Sequence, residues 1–167
     1  MIDSEYARTM ARYNLWQNRS LYCEGDRLDD DQRRANRGAF FGSLHATLAH
    51  ILWGDMMWMS RLDGWEKPAA GPADGEKWLD WEGLKATRAE ADLRIAEWAD
   101  RLEDADLLGD FSWYSGILKR DVSKPMWIVV AHVFNHQTHH RGQAHAILTS
   151  FGMTPDDTDL SFMPDHI

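Results

Sequence analysis

The chain has 167 residues, 44% of them apolar, enough to bury a sizeable core and too apolar for a disordered chain. Its 18 basic and 27 acidic residues leave a net charge of −9, which argues against a protein held on nucleic acid by phosphate neutralisation or docked on an anionic membrane surface. The single cysteine, Cys23, excludes an intramolecular disulfide, fits a reducing cytoplasm and reads as a small packed hydrophobe. The first residues lack the basic and apolar regions of a signal peptide, and no apolar run approaches the roughly 18 residues needed to span a bilayer.

Residues 3–24 read as a helix capped by Asp3 or Ser4, with Tyr6, Met10 and Tyr13 at helical spacing. Trp16 is expected in the core, and Asn14 and Asn18 are expected to hydrogen-bond to neighbouring loops. Residues 25–38 are a polar connection with a helical turn at Asp31 to Arg34. Residues 39–61 are apolar nearly all round, which predicts the most buried helix. Residues 62–77 hold Gly64, Pro68, Gly71, Pro72 and Gly75 and read as a long loop of the kind that covers a functional site, anchored by Trp65 and Trp78. Residues 79–104 form a third helix that buries Leu84, Ala91, Ile95, Trp98 and Leu102. Residues 105–124 lack helical period and read as a short β-hairpin around Gly116. Ser123 then caps, and Pro125 opens, a fourth helix running to about Ser150. Residues 151–167 are a tail whose Leu160, Phe162 and Met163 are expected against the helices. Four long helices in one domain, residues 1–167, predict an all-α four-helix bundle with a long loop after the second helix and a short hairpin before the fourth.

The fourth helix gathers five of the eight histidines: His132, His136, His139, His140 and His145. At about 100° per residue, His136 and His140 lie about 40° apart, near enough to share one ion, and His132 lies about 40° to the other side of His136. His139 is about 60° from His136, and His145 points nearly opposite. A pair needs a further ligand from another helix. In the second helix His45 and His50 lie about 140° apart, so only one can face the site. Ser43, Ala46, Thr47 and Gly54 flank His50 and leave room for an ion, whereas Phe41, Leu48 and Ala49 crowd His45. The reading is a mononuclear site on His50, His136 and His140. His132, His139 and Gln143 are candidates to orient the ligands or to line a pocket. Arg141 points away, toward an acidic partner on a neighbouring helix or subunit. Imidazoles suit zinc, nickel, copper or iron, of which we name zinc or nickel. Three protein ligands leave a position for water or substrate.

The run His136-Gln137-Thr138-His139-His140-Arg141-Gly142-Gln143, a histidine (His50) in an apolar second helix, Tyr13-Asn14-x-Trp16-x-Asn18 and Thr158-Asp159-Leu160 resemble the DinB-like (damage-inducible) superfamily over essentially the whole chain. The resemblance implies an up-up-down-down four-helix bundle, a homodimer, and a divalent metal on the positions of His50, His136 and His140. It also implies chemistry such as S-transfer from a low-molecular-weight thiol, bacillithiol or mycothiol, or maleylpyruvate isomerisation. The expected function is therefore metal-dependent S-transfer to a small electrophile. A metal-dependent hydrolase, for which no carboxylate base is evident, and a non-catalytic metal- or ligand-binding bundle are the alternatives.

Overall fold

The computed structural model describes residues 1–72 and 74–167. Four long helices carry the chain: α1 Ser4–Gly25, α3 Leu44–Leu62, α5 Trp81–Arg101 and α6 Met126–Ser150. Two short ones, α2 Asp30–Arg34 and α4 Gly75–Trp78, lie in the connections. Strands β1 Asp110–Ser115 and β2 Arg120–Pro125 pair antiparallel, with Asp110 opposite Pro125 and Ser115 opposite Arg120. The protein is thus mostly helical but not purely all-α, since the expected hairpin is a real two-stranded sheet.

Local chemistry sets the helix ends. Asp3, Ser43 and Asp80 each accept a hydrogen bond from a backbone N–H in the first turn of the helix they open. The second long helix begins five residues later than the apolar pattern suggests. Ala39 and Gly42 form an isolated bridge, and Gly42 sits at φ +82°, where a helix cannot run. Phe40 and Phe41 therefore lie in a turn rather than on the helix. Ser123 does not cap α6: Pro125 occupies that position without a side-chain bond, and Ser123 Oγ instead meets Ser112 Oγ across the hairpin at 2.9 Å.

The direction of each helix follows from its end contacts. Ser4 at the start of α1 donates to Asp104 beyond the end of α5, while Trp81 at the start of α5 donates to Asp26 beyond the end of α1, so these two run antiparallel. Along α6 the residues opposite α3 descend, His140 and His136 beside His50 and His132 beside Trp58, so this pair is also antiparallel. In α3 and α5, His45 is near Trp81, Asp55 meets Arg88 and Asp63 meets Arg101, and the two run parallel. Tyr6 with Phe134 and Asn14 with Arg141 make α1 and α6 parallel. The order is up-down-down-up, which corrects the expected up-up-down-down.

This order explains the long connection after α3. Parallel neighbours need a crossover that returns the length of a helix, about 28 Å for 19 residues. The chain climbs back along α3: Trp65 N donates to Met59 O, Ala70 O accepts from Trp53, Pro72 O faces His50, and Leu79 O faces His45. Trp65 anchors it as expected, buried beneath the Arg94 guanidinium.

The core draws on all four long helices, with Leu44, Leu48, Leu52, Leu84, Ile95, Phe134 and Leu148 almost wholly buried. Two expectations fail at the periphery. Cys23 is exposed rather than packed. In the tail, Leu160 and Phe162 are exposed and the chain is held by polar bonds instead: Tyr13 Oη to Thr158 O, Gln17 Nε2 to Asp157 O, and Asp156 N to Ser20 Oγ.

Candidate metal centre

Helices α3 and α6 bring His50, His136 and His140 together, with one ligating nitrogen from each within 4.8 Å of the others. His50 Nε2 and His136 Nε2 are 3.2 Å apart. Two nitrogens bound to one tetrahedral zinc at about 2.05 Å each would lie about 3.3 Å apart, so the spacing suits an ion of that size. Gly54 makes the approach possible. A Cβ there would stand 2.8 Å from His136 Cε1, so any larger residue would push the ring away.

Two of the rings are held in the tautomer a ligand needs. A carbonyl oxygen can only accept, so the ring nitrogen facing it carries the proton. His50 Nδ1 faces Pro72 O at 3.4 Å, and His140 Nδ1 faces Gln143 Oε1 at 2.9 Å. In both rings Nε2 keeps its lone pair, the arrangement by which outer partners orient metal-binding histidines. Phe41 stacks on His50 with ring centroids 3.9 Å apart and stands 5.4 Å from His140, fixing both rings from the turn before α3. Burial first, then the neighbouring His140, pulls the His50 pKa down to about 4. Burial and then the other imidazoles pull His136 to about 3, and burial lowers His140 as well. All three are neutral at pH 7, as ligation requires.

The remaining candidates lie around this centre. The His132 ring is 5.8 Å from His136 and 5.2 Å from Trp58. His139 is exposed, 4.8 Å from the His140 ring, and Gln143 Nε2 donates toward its Nε2 at 3.4 Å. Gln143 thus links the two histidines. His45 is fully buried, its Nε2 at 3.0 Å from Leu79 O, and His145 lines a separate cavity with Tyr13, Gln17 and Arg141.

One step deeper lies a polar layer that the sequence reading missed. Arg88 of α5 bonds Asp55 of α3, which accepts from Gln137 Nε2 of α6 at 2.8 Å. Gln137 Oε1 accepts from Arg141, which also donates to Asn14 of α1. Arg88 reaches Asp92 at 2.9 Å, and Asp92 accepts from Asn18 of α1. All seven residues are at most 5% exposed. The layer therefore crosses the four long helices. The asparagines meet helices rather than the expected loops, and Arg141 meets amides and a hydroxyl rather than an acid. A signal existed: Arg88 continues the Leu84, Ala91, Ile95 stripe at helical spacing.

Asp55 and Gln137 directly follow Gly54 and His136 in the chain. Their bond locks α3 to α6 at the level where the histidines meet. Burial pushes the Asp55 carboxyl up to about 6 against the opposing pull of Arg88.

A mostly helical protein with three imidazoles turned to one point is of the class whose architecture is compatible with a divalent metal. The chain belongs to the DinB family, whose family model matches residues 1–166. It is 24% identical over 164 residues to "Protein DinB" of Bacillus subtilis (strain 168), covering 93% of this chain and 92% of that protein. A crystal structure of a DinB-like protein from Bacillus cereus ATCC 10987 shares the fold, with a TM-score of 0.61 at 18% identity, over 85% of this chain and 90% of that one. Among the described residues, no helix is long and apolar enough to cross a membrane.

Proposed function

We propose that this chain is a four-helix-bundle metalloenzyme that holds a divalent transition metal, zinc or nickel, on His50, His136 and His140, and transfers a low-molecular-weight thiol to an electrophile. The observation that carries the reading is the convergence of the three imidazoles, with the Nδ1–H groups of His50 and His140 tied to carbonyl oxygens. When bound, the ion would supply a positive charge that favours the thiolate form of a thiol. The chain's own residues would do the rest. Pro72 and Gln143 hold the rings, Phe41 and Trp53 stack on His50 and shield it from water, and His132 and His139 border the approach.

One observation favours thiol transfer over hydrolysis. A hydrolase needs a base for its water. The carboxylate nearest in sequence to His50, Asp55, is buried and occupied by Arg88 and Gln137, and no carboxylate joins the histidine cluster among the described residues.

The test is elemental analysis of the purified protein, followed by assays of the metal-loaded form with a panel of low-molecular-weight thiols and an alkylating electrophile. Metal at one equivalent and metal-dependent thiol consumption are expected. Bound metal with turnover of an ester or amide in the absence of any thiol would overturn the transfer reading in favour of hydrolysis.

A further inference from the structure

A second face of α6 is turned to α1, and a cavity of about 250 Å³ opens there. Thr138, Gly142 and His145, at i, i+4 and i+7, line it from α6. Tyr13, Gln17 and Leu21, at i, i+4 and i+8, line it from α1. The tail closes one side, where Tyr13 Oη donates to Thr158 O and Gln17 Nε2 to Asp157 O.

Gly142 sits in the middle of the α6 stripe and leaves this space. Glycine weakens a helix interior relative to alanine. Elsewhere in the long helices a close neighbour accounts for it: a Cβ on Gly25 would meet Trp81, one on Gly54 would meet His136, and one on Gly83 would meet Asp80. At Gly142 a Cβ would meet nothing within 4 Å. Packing gives no reason for this glycine, and an open cavity does.

Arg141 supplies the charge. It lines the cavity and is 5% exposed. Its acceptors, Asn14 Oδ1, Gln137 Oε1 and Thr138 Oγ1, are all neutral. Both acids of the buried layer, Asp55 and Asp92, bond Arg88 instead. Arg141 Nε–H donates to no described atom, and unlike the sealed Nε of Arg88 it keeps some surface. Among the described residues no acidic side chain lines the cavity. A buried cation is normally met by an anion, and a guanidinium edge fits a carboxylate best. Leu21 and the Tyr13 ring, whose centroid is 5.1 Å from the guanidinium carbon, add apolar wall.

We propose that this cavity is a second small-molecule site, which binds a small monocarboxylate. The carboxylate accepts from the free Nε–H edge of Arg141, and the body of the ligand lies over Gly142 against Tyr13 and Leu21. A cavity of about 150 Å³ admits benzene, so this one has room for a carboxylate on a ring of that size.

The test titrates the full chain with benzoate, and with benzamide as its uncharged counterpart, and follows backbone amide shifts by NMR. Benzoate should bind with a Kd of about 1 mM, an ordinary affinity for so small a ligand. The shifts should centre on Tyr13, Gln17 and Leu21. Benzamide should bind about tenfold more weakly, the factor that a charge-assisted hydrogen bond supplies. Substituting Arg141 itself would disturb the buried layer, so the deciding variant is Gly142→Leu. Its side chain meets no neighbour at Cβ and grows into the cavity, and leucine is the better helix former. Thermal unfolding should therefore come no earlier than in the parent, while benzoate affinity falls by more than about tenfold. Equal affinity for the two probes, benzoate binding undiminished in Gly142→Leu, or shifts confined to α3 and the histidines would overturn the proposal. The metal reading plays no part in it and would stand in that event.

Discussion

The histidine cluster and the buried ionic layer are adjacent in sequence and opposite in design. Gly54 and Asp55, His136 and Gln137, and His140 and Arg141 are consecutive pairs, the first member serving the cluster and the second the layer. In the layer, hydrogen bonds run from helix to helix and the charges of Asp55, Asp92, Arg88 and Arg141 balance. In the cluster, partners hold the rings by their outer nitrogens and leave the inner ones facing one another. One set of polar groups closes on itself and holds the helices in register. The other is kept open by its neighbours, and that openness is what a metal needs.

The largest effect should come from breaking the layer. Asp55→Ala would leave the Gln137 amide unpaired and Arg88 with Asp92 as its remaining acid, and cost about 3–5 kcal/mol in denaturant unfolding of the metal-free protein. A loss below about 1 kcal/mol would mean that the layer is not what fixes the register. Next come the ligands. His50→Ala, His136→Ala and His140→Ala should each weaken metal binding by more than about 100-fold, beyond the range seen for outer partners, and leave metal-free stability nearly unchanged. His45→Ala should do the reverse, since that ring is fully buried, and His145→Ala should do neither. Equal metal content in all five variants would erase the contrast between the regions.

Gly54→Ala tests the border between them. The new methyl would displace His136, so metal affinity should fall about tenfold in a calorimetric titration, while stability changes little because alanine is the better helix former by about 1 kcal/mol. The smallest effect belongs to an ion pair outside both regions. Burial tends to raise the Asp26 carboxyl, but hydrogen bonds from Lys85 and Trp81 and the nearby Lys85 and Arg33 charges outweigh it and hold the pKa below its ordinary value. A depressed acid stabilises the fold above its unfolded pKa and loses that contribution as pH falls through the folded one. Asp26→Asn should therefore lower stability modestly at pH 7 and flatten its further loss as pH falls below about 4, where the two proteins converge. An unchanged acid slope would show that the pair contributes nothing.

Much of this was legible in the sequence. Helix periodicity placed four long elements, and angular arithmetic on the fourth helix separated His136 and His140 from His145. The small residues around His50 indicated room, and Gly54 proved to be the residue that admits His136. Helix direction was not legible, because periodicity carries no sign and a long loop serves equally as a cover or a crossover. The ionic layer stayed hidden for a related reason. A charged residue in an apolar stripe reads as an interruption until its partners appear, and those of Arg88 lie 33 residues away at Asp55 and four residues away at Asp92.

The crossover has a further consequence. A neutral imidazole has one proton and two places to put it, and Pro72 decides the matter for His50 from a segment that belongs to no helix. If that segment lifts, the proton is free to move to Nε2 and the ring ceases to be a donor to an ion, although no ligand has left its helix. Any metal affinity of the centre would thereby be tied to the posture of a strap pinned nearby by Trp53. Proline at position 72 contributes only its carbonyl, so side-chain substitutions there would miss the link, and shortening the strap would expose it.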